Sequence, residues 1–428
     1  MTRSVEPSSV SGRIRAPSSK SAMQRAIACA AMAPGRSTIT NPSWCADSLA
    51  AMRVATALGA RVERFDDRVV VVGGLFPEPA GPGPIVASCG ESGLCLRMFS
   101  SIASLSPVEV ELRGEGSLAG RPVGMVREPL VALGVECSTN GGLPPVRVRG
   151  PLLPGRVVVD GGESSQFLTG LVMALPMTGG DSVVIAERLA SRGYVDLTLD
   201  VMRAFGARAG RDDGYRRFSI GGKPYEAADY DVEGDWSGAA FLLVAGAIRG
   251  ESGLDVVGLR TRSSQPDRAI VDALALAGAR LEELPDGYRV RSGPLRAFSF
   301  DATDCPDLFP PLVALASRCE GVTSLRGADR LRVKESDRST ALSEEFGRLG
   351  LRVVVDGDQM FVYGLGAEAG SGGPRGGAVS SRGDHRIAMA AAVAALAASG
   401  PVIVEGAECV AKSWPDFFEA LSSIGARA

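Results

Sequence analysis

ATALGARV (55–62), LVALGVEC (130–137), MRAFGARA (202–209), LALAGARL (274–281), FGRLGLRV (346–353) and LSSIGARA (421–428) are six versions of one phrase, an apolar run of helical spacing that ends in glycine. The glycines Gly59, Gly134, Gly206, Gly278, Gly350 and Gly425 are 75, 72, 72, 72 and 75 residues apart. A fixed period of this kind marks a repeated supersecondary unit. A glycine directly after such a run is a helix C-cap signal, because the chain leaves the last turn in a left-handed conformation. After the first five phrases an alternating segment with a turn follows, as in RVERFDDRVVVV (61–72) or RLEELPDGYRVR (280–291), which predicts a β-hairpin.

A second series keeps step with the first. PSSKSAMQR (17–25), GESGLCLRMF (90–99), GESSQFL (162–168), GDWSGAAF (234–241), TDCPDLFP (303–310) and GDHRIAM (383–389) each place a polar turn ahead of an apolar helix. A short apolar strand precedes most of them, such as PIVAS (84–88) or RVVVD (156–160). Strand, polar turn and helix together aim backbone N–H groups and the helix dipole at an anion. Capping explains any one such turn; six in phase imply an architecture that gathers helix N-termini.

After Gly425 only Ala-Arg-Ala remains, so the sixth unit lacks its hairpin. SVSGRIRAP (9–17) is the expected substitute strand, which would make the N-terminus pair with the C-terminal half and the chain cross between halves twice. Single cores stop growing near roughly 250–300 residues. The expected fold is therefore α/β (α+β), with two similar domains of three βαβαββ units each. The expected boundaries give residues 18–232 as one domain and 1–17 with 233–428 as the other, with the ligand site in the cleft between them.

Composition narrows the function. At 45% apolar, 22% charged and a net charge of −3, the chain is ordinary globular material with no electrostatic footprint for nucleic acid or an anionic membrane. The apolar stretch 387–404 is broken by Ser399-Gly400-Pro401 and reads as a buried helix and strand rather than a membrane span. The first residues lack an apolar signal region, and eight cysteines without a CxxC pair beside one histidine exclude a His/Cys zinc site. They read as thiols of a reducing cytosol, so a cytoplasmic protein is expected. Only four of 46 basic residues are lysines (Lys20, Lys223, Lys334, Lys412), and three of them lie in motifs. Ammonium can lose its proton when desolvated and guanidinium effectively cannot, so these positions are candidates for chemistry.

The motif turns collect cations, small donors and a few carboxylates: Lys20, Ser21 and Arg25; Arg97 and Arg121; Ser164, Ser165 and Gln166; Asp307; Lys334, Glu335 and Arg338 in RVKESDR (332–338); Asp384, His385 and Arg386; and Lys412 in AKSWPDFF (411–418). Ser21 reads as a helix N-cap. This mixture suits a substrate with several anionic groups and proton transfers. No Walker loop, dinucleotide-binding turn or Ser/His/Asp set is present.

PSSKSAMQRA, GESSQFLTGL, RVKESDR, GDHRIAMA and AKSWPDFF resemble, in order and spacing, the 5-enolpyruvylshikimate-3-phosphate synthase family, over residues 11–420. The resemblance implies two domains of three βαβαββ units and a reaction joining phosphoenolpyruvate to shikimate 3-phosphate with release of phosphate. It implies that Lys20 takes part in proton transfer; since the reaction needs a base for the hydroxyl and an acid for the carbon, the expected catalytic residues are Lys20, Asp307 and Glu335, with Asp307 the hydroxyl base and Lys20 and Glu335 moving the C3 proton. Lys20, Ser21, Arg25, Ser164, Ser165, Gln166, Ser191, Tyr194, Asp307 and Lys334 would bind shikimate 3-phosphate. Lys20, Gly93, Arg121, Gln166, Arg338, Arg386 and Lys412 would bind phosphoenolpyruvate. No metal or organic cofactor is expected, and the chain is expected to act as a monomer. Leu94 and Met98 depart from the family's usual Gly-Thr-Ala-Met-Arg-Pro, and Arg330 stands where an asparagine is usual.

Blander readings stand beside these. Ser164 or Ser165 can be a helix cap, and Glu335 with Arg338 a helix-surface ion pair. His385 can be catalytic or a structural hydrogen bonder, Arg97 can bridge the two domains, and Asp235 can cap its helix or sit at a hinge. Two rival functions are the related transfer of enolpyruvate to UDP-N-acetylglucosamine and a non-catalytic anion-binding repeat protein. The loop 114–121 lacks the first rival's usual cysteine, and SSKS replaces its usual Lys-Asn. The acid–base set argues against the second.

Overall fold

The computed structural model describes residues 1–76, 83–332, 334–366 and 373–428, so Val333 of the RVKESDR motif lies outside the described residues. The chain forms two compact units, Lys20–Val232 and Met1–Ser19 with Glu233–Ala428.

The unit Lys20–Val232 contains three four-stranded sheets among the described residues. The middle one shows the plan. Ile85–Ser88 pairs parallel with Val110–Arg113, and Leu143–Arg149 and Glu136–Asn140 add antiparallel as a hairpin. Parallel neighbours need a long crossover, and here it is the helix Gly93–Ala103. Arg156–Gly161, Ser182–Leu189, Arg217–Ile220 and Ala209–Arg211 repeat the plan. So do Asp229–Asp231, Gly35–Thr40, Arg68–Gly73 and Arg61–Arg64. The crossover helices carry almost no polar face because they form the centre: Gly93–Ala103 is buried at every residue, and Lys20–Met32 and Gln166–Ala174 nearly so.

The second unit has the same plan. Gly12–Arg15, Leu254–Val257, Gly287–Arg291 and Arg280–Leu284 form one sheet, and Ser299–Asp301, Val322–Arg326, Gln359–Tyr363 and Arg352–Asp356 another. Trp236–Arg249, Phe309–Ala316 and His385–Ala395 are its buried helices. The apolar stretch from Ile387 is thus a core helix followed by the strand Val402–Glu405, and no helix among the described residues is long and apolar enough to cross a membrane. All six repeat glycines take φ between +80° and +114°, the left-handed exit that the sequence phrase calls for.

The N-terminal strand differs from expectation. Gly12–Arg15, inside the segment expected to replace the missing hairpin, pairs parallel with Leu254–Val257 as the leading strand of the fourth repeat. The sixth repeat's return strand is Thr2–Val5, antiparallel to Val402–Glu405. The reason is directional. Gly12–Arg15 runs straight into the polar turn ahead of Lys20, so it takes the same role as Arg156–Gly161, a strand that feeds a helix. The strand ahead of Trp236, Asp229–Asp231, correspondingly leads the first repeat's sheet. The two leading strands are exchanged between repeats.

Helices Gly93–Ala103 and Gln166–Ala174 touch backbone to backbone. A β-carbon on Gly170 would stand 2.3 Å from the Met98 carbonyl oxygen. Gly170→Ala is expected to destabilise the chain by about 1–3 kcal/mol through this overpacking, read as a lowered melting temperature; an unchanged melt would show that the helices have room to separate.

Candidate functional site

In the unit Lys20–Val232, the polar turns place cations at helix starts. Lys20 opens its helix and its Nζ donates to Asp47 Oδ2 at 3.0 Å, with 13% and 8% of the two side chains exposed. Asp47 sits in the first turn of Ala46–Ala57, outside every repeated motif. Ser21 is not an N-cap but lies within the first helical turn, where its carbonyl accepts from Arg25 Nη1 at 2.8 Å. Arg25 is 1% exposed, and its other hydrogen bonds run to Thr198 Oγ1 (2.9 Å) and the Tyr194 carbonyl (3.2 Å). Every one of these acceptors is neutral, and burial pulls the guanidinium pKa down to about 10.

A second group forms around Gly93. Arg97 donates to Gln166 Oε1 and to the Pro122 carbonyl, both at 2.7 Å. These two bonds hold Gln166 and the segment that carries Arg121. A β-carbon on Gly93 would meet Nη1 of both Arg97 and Arg121 at 3.0 Å, so glycine is what lets two guanidinium groups approach this backbone. Ser92 caps the helix through Cys95 N and donates to the buried Gln24 Oε1 at 3.1 Å. Ser164 Oγ accepts from Gln166 N at 3.3 Å, the capping role, and Ser165 beside it makes no side-chain cap bond. Ser191 is buried at φ +55°, and its carbonyl accepts from Tyr194 N.

The other unit gathers a denser set around Arg338, which is 1% exposed. Its Nε donates to Asp384 Oδ2 at 2.7 Å, Nη1 to Asp307 Oδ1 at 2.6 Å and Nη2 to Glu335 Oε2 at 2.6 Å. Glu335 lies ahead of the helix Arg338–Arg348, and Asp337 caps that helix through Thr340 N. The Glu335–Arg338 pair is therefore buried and not a helix-surface pair. Arg386 Nη2 reaches Asp307 Oδ2 at 3.0 Å, and Lys334 Nζ stands 3.9 Å from Asp307 Oδ1. Asp384 is fully buried, caps the helix His385–Ala395 through Arg386 N and also takes Ser336 Oγ. His385 is fully buried, with Nδ1 3.8 Å from Asp384 Oδ1. Lys412 Nζ is 3.9 Å from Glu335 Oε1 and makes no hydrogen bond among the described residues, although only 9% of the side chain is exposed. Asp235 caps its helix through Ser237 N and Gly238 N, the capping alternative of the two read from sequence.

The electrostatics follow from this crowding. Burial alone would raise the Asp307 pKa, but Arg386, Lys334 and Arg338 outweigh it and hold the carboxylate well below its ordinary value. Burial lowers Lys334 to about 8 in spite of Asp307 and Glu335, with Arg338 and Arg330 adding to the fall. Sequence reading missed Asp47, Thr198 and Gln24. Asp47 had only a local signal, an acid at a helix start. The contact of Arg25 with Thr198 spans 173 residues, and no local pattern announces it.

The model of EPSP synthase (3-phosphoshikimate 1-carboxyvinyltransferase) matches residues 5–421. A protein of Aeropyrum pernix named 3-phosphoshikimate 1-carboxyvinyltransferase is 42% identical over 424 residues, 99% of this chain and 95% of its own. One of the same name from Clostridium kluyveri is 36% identical over 424 residues, 99% of this chain and 97% of its own. The EPSP synthase structure from Acinetobacter baumannii matches with a TM-score of 0.83 at 27% identity, covering 99% of this chain and 98% of that one. The enolpyruvyl transferase NikO from Streptomyces tendae, at 19% identity and a TM-score of 0.76, shares the fold. The chain belongs to the EPSP synthase family.

Folding lowers the Lys334 pKa from 10.5 to about 8, so the charged side chain costs stability in full below about pH 8. That cost fades as pH rises from 8 towards 10.5. Lys334→Met is therefore expected to raise stability at pH 7 by about 1–3 kcal/mol, and its advantage over the parent should shrink by pH 10. A lower melting temperature at pH 7 would contradict this electrostatic picture.

Proposed function

We propose that the two residue sets carry out the enolpyruvyl transfer of the shikimate pathway, from phosphoenolpyruvate to the 5-hydroxyl of shikimate 3-phosphate. The observation that supports this most is buried positive charge that the chain's own acids answer poorly or not at all. Arg25 hydrogen-bonds only neutral acceptors, and the buried Lys412 ammonium has no hydrogen bond among the described residues. Substrates that between them carry two phosphates and two carboxylates complete such a set.

In this reading Ser164, Ser165 and Ser191 hold the 3-phosphate, with Gln166 and Tyr194 beside it, and Ser21, Arg25, Asp307 and Lys334 take the ring substituents. Gly93, Arg121 and Lys412 hold the phosphate of phosphoenolpyruvate, and Arg338 and Arg386 its carboxylate, which a guanidinium meets as a two-point fork. The 5-hydroxyl oxygen bonds to C2 while C3 gains a proton; phosphate then leaves C2, and C3 gives a proton back. Asp307 accepts the hydroxyl proton, and Lys20 and Glu335 serve C3.

A carboxylate ringed by three cations is a poor base. The assignment works because Arg338 and Arg386 are both its partners and the proposed clamp for the substrate carboxylate. As the substrate carboxylate takes over those guanidinium groups, Asp307 loses part of what holds its proton affinity down. The base is then strengthened by the binding that precedes its use. Because one chain supplies every assigned residue, a monomer suffices; the free thiols and the substrates suit the cytoplasm.

The test is phosphate release from phosphoenolpyruvate with shikimate 3-phosphate or UDP-N-acetylglucosamine as acceptor. Release is expected only with shikimate 3-phosphate, falling by about 10²–10⁴ in Asp307→Ala. Release with the sugar nucleotide alone would make the rival acceptor correct, and near-normal turnover in Asp307→Ala would remove the base assignment.

A further inference from the structure

The third repeat differs from the others at the tip of its hairpin. Ala209–Arg211 and Arg217–Ile220 are joined by Asp212-Asp213-Gly214-Tyr215-Arg216, whereas the fourth and fifth hairpins turn through Pro285-Asp286 and Gly357-Asp358. The tip fixes its own shape. Asp212 Oδ1 accepts from the backbone N of Arg216 (2.8 Å) and Arg217 (3.1 Å), and Tyr215 N donates to the Asp212 carbonyl. Tyr215 takes φ +54°, a left-handed conformation that a bulky side chain enters only when its surroundings hold it there.

What holds it is the start of the helix Gly193–Ala204. Tyr215 Oη donates to Asp196 Oδ2, and Arg211 donates to the same carboxylate from Nε (2.6 Å) and Nη2 (3.1 Å). Arg211 also donates from Nη2 to Tyr215 Oη at 2.8 Å and lies 3.6 Å from the ring centroid. Arg192, the residue that opens the helix, has its guanidinium carbon 5.7 Å from the same ring. Its neighbour Ser191 is the buried serine at φ +55°. Tyr215 thus lies against Arg192, the chain neighbour of the left-handed Ser191, and the hairpin tip is tied through Asp196 to the helix that the turn Ser191–Tyr194 opens.

We infer that Tyr215 is a positioning residue for the phosphate-binding turn Ser191–Tyr194, an inference that rests on the reading of Ser191 and Tyr194 given above. It acts in two ways. Its ring restrains Arg192, and through it the left-handed serine whose hydroxyl must meet a phosphate oxygen within a fraction of an ångström. Its hydroxyl, with Arg211, engages the Asp196 carboxylate, which stands one helical turn from the turn and would otherwise repel a phosphate.

The test compares binding of shikimate 3-phosphate and of shikimate to the full chain, with kinetics alongside. In Tyr215→Ala the affinity for shikimate 3-phosphate is expected to fall about tenfold, with the loss appearing in KM for that substrate more than in kcat. Affinity for shikimate, which lacks the phosphate, should change much less, so the ratio of the two falls. Tyr215→Phe keeps the ring and should lose only a few-fold, and it decides the matter if the alanine variant does not fold. Equal loss for both ligands would mean general damage and would overturn the inference, as would no loss in either variant. Ser191→Ala separates the layers: if it weakens shikimate 3-phosphate and the Tyr215 variants do not, the brace is wrong, and if Ser191→Ala itself has no effect, the phosphate reading beneath it is wrong.

Discussion

Arg338 is the interaction on which the acid-bearing unit depends. A guanidinium 1% exposed would be intolerable alone, and it is answered by three carboxylates from three separate stretches, Asp307, Glu335 and Asp384. Each stretch leads into a helix: Phe309–Ala316, Arg338–Arg348 and His385–Ala395. The five donors of arginine in a rigid fork are what make this junction possible; a lysine would offer a point charge and no fixed angles. Buried ion pairs of this kind are weak evidence for stability, because desolvation offsets much of the attraction. Their value here is geometric, since the three acids are held at fixed distances from one another by one planar group.

The same junction sets the chemistry. Arg386 and Lys334 approach Asp307 from other directions, so its negative charge is shared among three cations. Asp384 is fully buried, whereas Asp307, engaged on Oδ1 by Arg338 and on Oδ2 by Arg386, keeps 20% of its side chain exposed. Lys412 approaches Glu335 at 3.9 Å and makes no hydrogen bond among the described residues. In the other unit the buried arginine Arg25 is answered by hydroxyl and carbonyl groups alone. The two sets are therefore different in kind, one rich in acids and one nearly without them.

The repeat was legible in the sequence because its signals are local. A glycine after an apolar helical run and a polar turn before one report their own geometry, and the six left-handed glycines follow from that. Strand pairing across the chain has no such signature. Thr2–Val5 buries only Val5, and its partner Val402–Glu405 is some four hundred residues away, so no local pattern marks it as the sixth repeat's return strand. The motif residues themselves were visible, but their partners were not. Ser21 looked like a cap when the helix had already begun at Lys20. Arg97 donates to Gln166 and to the Pro122 carbonyl, partners 69 and 25 residues away that no local pattern announces. Glu335 and Arg338 have the spacing of a surface pair, and only the convergence of Asp307 and Asp384 on the same guanidinium makes the pair a buried one.

The central claim is that the cations around Asp307 suppress its proton affinity and that an anionic substrate releases it. Carbon-13 NMR of the chain labelled at aspartate carboxyls, with Asp307→Asn to assign the signal, measures that affinity directly. Alone, Asp307 should stay ionised well below the ordinary aspartate range, and its pKa should rise when shikimate 3-phosphate is bound together with an unreactive carboxylate-and-phosphate analogue of phosphoenolpyruvate. An ordinary pKa in the free chain, or a value that does not move when both ligands are bound, would contradict the account.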